Sequence, residues 1–369
     1  MKRLHLKFLR CQKILEIRSE AKGRMIEIMI TNLDSMPSNE PYLWADYIEI
    51  LALTNIDRSF SRGDLYSTLQ AQPEAVLAET DEAEEEGVYD VDDENDTPVR
   101  KRTKRSVSRA YTDRKWSYAI GFIRQRIDLF GDSYPFTLSE DNDTVELRDI
   151  SEKPLEHLER LYLALLICAN IKYVNIMSRR EITRSFELIS LPIFESLMPS
   201  GSIIKACWAS GGQAAPYTGT LYNKFKSIAS DIRCTANFKE RDFSRGNSGD
   251  GGLDIIAWHP MGDQRDAIPI SFVQCGCSQE EWEAKQLEAS PAMLYSKFPV
   301  AHRWATYYFL PQDLRWIDGE WAHKNKLGDA IFVDRLRLIN LTRASDNIDH
   351  SQNISYLDII LDPSSAIAA

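Results

Sequence analysis

No stretch of this 369-residue chain approaches the roughly 18 uninterrupted apolar residues that a membrane helix requires, because the longest apolar run, Leu161 to Ala169, is half that length. A run that short reads as a buried core helix, and a membrane is not expected among the partners. The first 22 residues are basic and amphipathic but lack the compact apolar stretch and small-residue cleavage site of a secretory signal, so a soluble, cytoplasmic chain is expected. Met25 offers a second start to the reading frame, which leaves the residues before it as either an upstream extension or a terminal helix. Cysteine is sparse: Cys11, Cys168, Cys207, Cys234, Cys275 and Cys277 are too scattered for a disulfide framework. Cys275 and Cys277 lack the usual two-residue spacing and a second pair nearby, which argues against zinc. A basic excess is absent too, since the formal net charge is -11. That figure is local in origin. Glu74 to Asp96 holds 12 acids and no Lys or Arg, and without them the remainder stands at +1. The folded parts can therefore present basic faces, and the low pI does not exclude nucleic acid.

Five basic residues, Arg100, Lys101, Arg102, Lys104 and Arg105, follow the acidic run, and residues 73–109 read as a solvated, disordered insertion. Around it, a mainly helical domain is expected over 41–150, after an N-terminal extension at 1–40. Leu43 to Leu53 and Leu65 to Leu69 have helical spacing. Tyr111 to Phe130 repeats Trp116, Ile120, Ile123 and Ile127 at intervals of three and four. Pro135–Leu138 and Thr144–Leu147 flank a turn-rich segment and read as a β-hairpin. Three helices followed by a hairpin is the order of a winged helix, whose third helix enters a DNA groove. Arg124 and Arg126 on that helix are candidates for phosphate contact. The same order also occurs in domains that bind no DNA. Two helices over 153–198 form a helical connector within 151–211.

The chemistry concentrates at 212–345, ahead of a C-terminal tail at 346–369. Leu221 to Ser230 has helical spacing. Asn237 to Arg245 reads as a first strand and its loop, placing Lys239, Arg241 and Arg245 toward phosphates. Gly249, Gly251 and Gly252 then permit a tight turn. Leu253–Trp258 and Ile270–Val273 are β-rich apolar runs separated by a polar turn at Met261–Asp266, so a hairpin brings Asp254 beside Gln274. Trp304–Leu310 and Ile331–Ile339 supply later elements of an α/β core, and Trp282, Trp304, Trp316 and Trp321 read as packing residues. Ser248 to Gly252 is not a nucleotide-binding P-loop, because it lacks the Lys-Ser/Thr ending and leads into a strand.

A Gly-Asp-Gly-Gly-x-Asp run, followed about twenty residues later by an apolar run ending in Gln, resembles the site of the PD-(D/E)XK nuclease superfamily and of its Mrr-like restriction endonucleases in particular. The resemblance implies a mixed β-sheet flanked by helices. It makes Asp254 the metal-binding aspartate and gives Gln274 the position taken by Glu or Gln. The carbonyl of Cys275 is a further ligand, and Asp250 an outer-sphere partner or second ligand. Hard oxygen donors of this kind suit Mg2+, with Mn2+ as a substitute. The lysine expected two residues after Gln274 is missing, and Gly276 stands there. The family's alternative is a lysine migrated to the following helix, which the spacing of Ser278 and Glu281 opens with a capping box. Lys285 is then the candidate, unless it merely pairs with Glu281 four residues earlier. An acid often follows an aromatic on the helix upstream, whereas Lys226 follows Phe225. The implied activity is metal-dependent hydrolysis of DNA in restriction or anti-phage defence. DNA, a second copy of the chain or a defence-system protein would be its partners. The alternatives are a catalytically silent nuclease fold that binds nucleic acid or protein, and an RNA-cleaving effector.

Overall fold

The computed structural model describes residues 16–19, 24–27, 30, 33, 35–38, 40–70, 104–208, 215–345 and 347–362. Most of the expected insertion at 73–109 therefore lies outside the described residues. The chain forms two compact units. The first comprises Met1–Leu155, Trp316–Gly319 and Asp358–Ala369, and the second Glu156–Arg315 and Glu320–Leu357. The fold is mixed α/β, as the sequence predicts. Among the described residues no helix is long and apolar enough to cross a membrane.

In the first unit an antiparallel pair, β1 (Glu16–Ser19) and β2 (Arg24–Glu27), precedes α1 (Pro41–Thr54). Then come β3 (Ser59–Ser61), α2 (Arg62–Gln70), α3 (Lys104–Phe130), β4 (Phe136–Leu138) and β5 (Thr144–Leu147). The last three strands form an antiparallel sheet in the order β3-β5-β4. Helix α1 starts with proline at its first turn, where no amide donor is needed, and is buried on every side. That burial includes Asp46 and Glu49, which require a cation in the same core.

Arg126 of α3 supplies it, which corrects the expectation that this residue faces DNA. Its guanidinium is 1% exposed and bridges Asp46 (2.7 Å) and Glu49 (2.8 Å). Tyr134 adds a hydroxyl donor to Glu49 at 2.7 Å. Arg124, two residues earlier and on another side of the helix, is exposed. Trp116 Nε1 donates to the Asn142 carbonyl at 2.9 Å and fastens the β4–β5 turn to α3.

The second unit begins with α4 (His157–Ala169), closed by a capping box between Glu156 and Glu159. Helix α5 (Ile176–Leu197) follows, capped by Asn175. Pro192 inside α5 leaves the Leu188 carbonyl without its helical donor, and Asn353 Nδ2 takes that carbonyl at 3.4 Å. Next are β6 (Ile203–Ala206), α6 (Leu221–Asp231), β7 (Ile255–Trp258), β8 (Ile270–Cys275), the single-turn helices α7 (Trp282–Lys285) and α8 (Pro291–Leu294), β9 (Ala305–Phe309), β10 (Ile331–Val333), and α9 (Arg335–Arg343). The five strands form one sheet, ordered β10-β9-β8-β7-β6. Strands β6, β7 and β8 pair antiparallel, and β8, β9 and β10 pair parallel.

Two expectations change here. Asn237–Arg245 is a loop with one 3-10 turn; the sheet's first strand is instead Ile203–Ala206. The helices expected as a separate connector belong to the same unit as the sheet. The cause is α6 and its loop, inserted between two paired strands, which hides β6 from a reading that looks for neighbours in sequence.

Arg126→Met should cost about 3–5 kcal/mol, because it strands two buried carboxylates. Denaturant unfolding of the first unit checks this; a loss below about 1 kcal/mol would mean that Asp46 and Glu49 are neutral in the fold.

Candidate functional site

Period-two alternation and strand register bring three side chains into a row. Asp254 continues the register of β7 by one residue: its N–H donates to the Val273 carbonyl at 2.9 Å, and its carbonyl accepts from Cys207 at 2.8 Å. It therefore lies opposite Gln274 on β8, and Gln274 pairs with Tyr308 on β9. Partners in register share a face, so Asp254, Gln274 and Tyr308 stand side by side across three strands. The hairpin expected from the sequence is present, with Asp254 and Gln274 adjacent.

All three are buried, at 4%, 7% and 0% exposure. Asp254 Oδ2 accepts the Cys275 N–H at 2.7 Å. The Gln274 amide end lies 3.2 Å from the same oxygen and also against the Gly252 carbonyl. Facing two acceptors, the amide must present its NH2 when no cation is between them; a cation would reverse it and gather three hard oxygens. Cys275 thus serves Asp254 through its backbone N–H.

Four carboxylates bear on one another here. Burial raises the pKa of Asp254 well above its ordinary value, the charges of Asp250, Glu187 and Glu288 raise it further, and the Cys275 N–H opposes them. Glu187 is raised by burial and by Asp250, against Arg184. Glu288 is also raised by burial and by Asp250, with Lys285 opposing. Glu288 comes close because Gly252, at φ +82°, has no side chain: a Cβ there would stand 2.6 Å from the Glu288 Cβ. Among the described residues, no three His, Cys, Asp or Glu side chains converge into a group that could hold a metal on their own. A divalent ion here would also need amide and carbonyl oxygens.

Gly276 has a steric cause. A Cβ at this position would lie 2.2 Å from the Tyr308 hydroxyl and 3.0 Å from its Cζ. The phenol fills the path that a side chain at 276 would take. Lys285 is in the ion pair with Glu281 (3.1 Å), one-third exposed on a four-residue helix that is much shorter than the capping signal implies. Another lysine is deeply placed. Lys224 of α6, 4% exposed, donates to the carbonyls of Ser248 (2.8 Å) and Gly249 (3.0 Å) and so ties down the glycine-rich turn. Lys239, Arg241 and Arg245 are exposed on the loop that leads into that turn, and Lys226 is exposed on α6.

Glu187, Glu288, Lys224 and Tyr308 escape a sequence reading centred on the motif. Glu187 did carry a signal, since it follows Phe186, an acid after an aromatic on a helix before the sheet. The insertion puts α6, with Phe225 and Lys226, directly upstream of the motif in the sequence. Comparison with models of known families, with curated proteins and with solved structures returns no match.

Two outcomes follow. Gly276→Ala should destabilise the second unit by about 1–3 kcal/mol through overpacking, and Tyr308→Phe should recover part of that in the double variant, as read by a denaturant double-mutant cycle. An equal cost in both backgrounds would exclude the hydroxyl as the obstacle.

Carboxylates with raised folded-state pKa values bind protons more tightly in the fold than in the unfolded chain. They therefore penalise folding increasingly as pH rises from the ordinary carboxylate range through those raised values. In metal-free buffer Asp254→Asn should accordingly melt a few degrees above wild type at pH 8, with the gain vanishing toward pH 4. A lower Tm at pH 8 would mean that the carboxylate is a net stabiliser.

Proposed function

We propose that the second unit is a metal-dependent nuclease of the PD-(D/E)XK type, acting on the phosphodiester bonds of DNA. The observation that carries the reading is the placement of Asp254 beside Gln274 on adjacent antiparallel strands, with Glu187 brought to them from a helix. The donor chemistry fits Mg2+ or Mn2+: the Asp254 carboxylate, the Gln274 amide oxygen and a backbone carbonyl from Gly252 or Cys275 are hard ligands, with Glu187, Asp250 and Glu288 in electrostatic range. When bound, such an ion lowers the pKa of water and offsets charge on the phosphate oxygens.

The chain's own contributions follow from the geometry. The Cys275 N–H orients one Asp254 oxygen, and Lys224 fixes the turn that carries Asp250. Carboxylates held together above their ordinary pKa are under electrostatic tension that a divalent cation relieves, so cation affinity should rise with pH as their protons leave. Lys239, Arg241 and Arg245 on the adjoining loop offer positive charge to a strand approaching the turn.

The first unit supports a winged-helix reading through its helix, strand, helix, helix, hairpin order and its β3-β5-β4 sheet. Its wing carries Glu140, Asp141 and Asp143, with Asp143 in an ion pair with Arg62 at 2.8 Å, which disfavours phosphate contact by the wing itself. A role in phage defence, self-association and a defence-system partner rest on the family resemblance alone.

A second reading, a catalytically silent nuclease fold that binds nucleic acid, is favoured by Gly276 and by the Glu281-paired Lys285. Plasmid, single-stranded DNA and RNA incubated with Mg2+ or Mn2+ separate the readings. Wild type is expected to nick or linearise DNA. Asp254→Asn and Glu187→Gln, still folded by circular dichroism, should lose on the order of 100-fold or more. Lys285→Ala should stay close to wild type. Cleavage confined to RNA would reassign the substrate, and an inert wild type that still retains nucleic acid would favour the silent module.

A further inference from the structure

The nuclease reading leaves the site with four carboxylates and no lysine where the motif expects one. The charges that bear on Asp254 are those of Asp250, Glu187 and Glu288, all negative. A phosphodiester approaching them needs a cation of its own, and a short list of groups can supply it. Position 276 cannot carry a side chain past Tyr308. Lys285 is held by Glu281, and Lys224 by two carbonyls of the turn.

We propose that Arg184, held over the Trp208 ring, contacts the scissile phosphate and takes over the electrostatic part of the missing lysine's work. This inference rests on the nuclease reading. Arg184 lies on α5, one turn before Glu187, and its Nη1 is 3.2 Å from the Glu187 carboxylate. Its guanidinium carbon stands over the Trp208 ring, 3.7 Å from the centroid, a cation–π contact that restrains the fork while leaving the side chain 27% exposed. Trp208 directly follows Cys207, whose N–H is bonded to the Asp254 carbonyl. The contact is thus attached to the strand that presents Asp254.

A second observation concerns the same indole. Trp208 is 8% exposed, and its Nε1 is a buried donor with no partner among the described residues. Buried indole N–H groups usually find an acceptor. A phosphate oxygen engaged by Arg184 would provide one. The guanidinium can hold Glu187 with one arm and a non-bridging phosphate oxygen with another, since it offers five donors in one plane. The ordinary alternative is that Arg184 and Glu187 form only a structural i,i+3 pair.

The two roles differ in what they predict. Arginine stays protonated throughout the accessible range and cannot serve as a general base. Its contribution is charge and orientation, so small guanidinium ions should replace it. The test uses the full chain with a fluorescein-labelled DNA duplex. Cleavage is followed in Mn2+, and binding by anisotropy in Ca2+. Arg184→Ala should cleave on the order of 100-fold more slowly than wild type and bind at least about tenfold more weakly, with an unchanged melting temperature. Millimolar guanidinium chloride should restore part of its rate and do nothing for Asp254→Asn. Trp208→Phe, which keeps an aromatic ring and removes the N–H, should lose less than Arg184→Ala.

Cleavage and binding within threefold of wild type would overturn the inference. So would a loss that guanidinium does not relieve and that tracks a lowered melting temperature. If wild type binds DNA but never cleaves it, the nuclease reading fails alone, and a tenfold weaker Arg184→Ala still supports the phosphate contact. A wild type that neither cleaves nor binds overturns both.

Discussion

The register of β8 between an antiparallel neighbour and a parallel one is the constraint on which the candidate site depends. Because β7 pairs with β8 through Ile255 and Val273, Asp254 must face Gln274, and because β8 pairs with β9 through Gln274 and Tyr308, the phenol completes the row. A slip of one residue in either pairing would send one member of the row to the opposite face of the sheet. Ladder hydrogen bonds and the apolar cluster around Phe225, Ile256, Phe272 and Trp304 hold the register. Ile256 and Phe272 lie two residues from Asp254 and Gln274 on the same face, so this apolar cluster and the candidate site share one set of strand pairings.

This arrangement is electrostatically expensive. Burying Asp254 beside Asp250, Glu187 and Glu288 raises its pKa, and the Cys275 N–H opposes the rise. The first unit faces the same difficulty and resolves it differently: Asp46 and Glu49 are equally buried, yet Arg126 lies within 2.8 Å of both. One cluster is neutralised from within, as a structural network would be. The other is offset only in part, Glu187 by Arg184 and Glu288 by Lys285, while Asp254 stays above its ordinary pKa.

Legibility in the sequence followed distance along the chain. The Gly-rich turn, Asp254 and Gln274 were readable because about twenty residues and one hairpin contain them. The helices around Trp116 and Leu161 were readable from their periodicity. Arg126 was misread because a cation on an amphipathic helix looks solvent-facing until Asp46 and Glu49, some eighty residues earlier, are known to be buried against it. Glu187 was missed because α6 interrupts the strands it serves. Tyr308 could not be read at all, since its relation to Gly276 exists only through the parallel pairing of β8 with β9. Local chemistry is written locally. Its partners are fixed by topology.

The contact between Gly276 and the Tyr308 hydroxyl also has a consequence for substitution. With the phenol in that space, a side chain at position 276 requires a change at position 308 first, or passes through a variant with an overpacked core. Mutations at the two positions are therefore order-dependent. The packing of one ring acts as a ratchet: the same two substitutions made in the other order pass through an overpacked core.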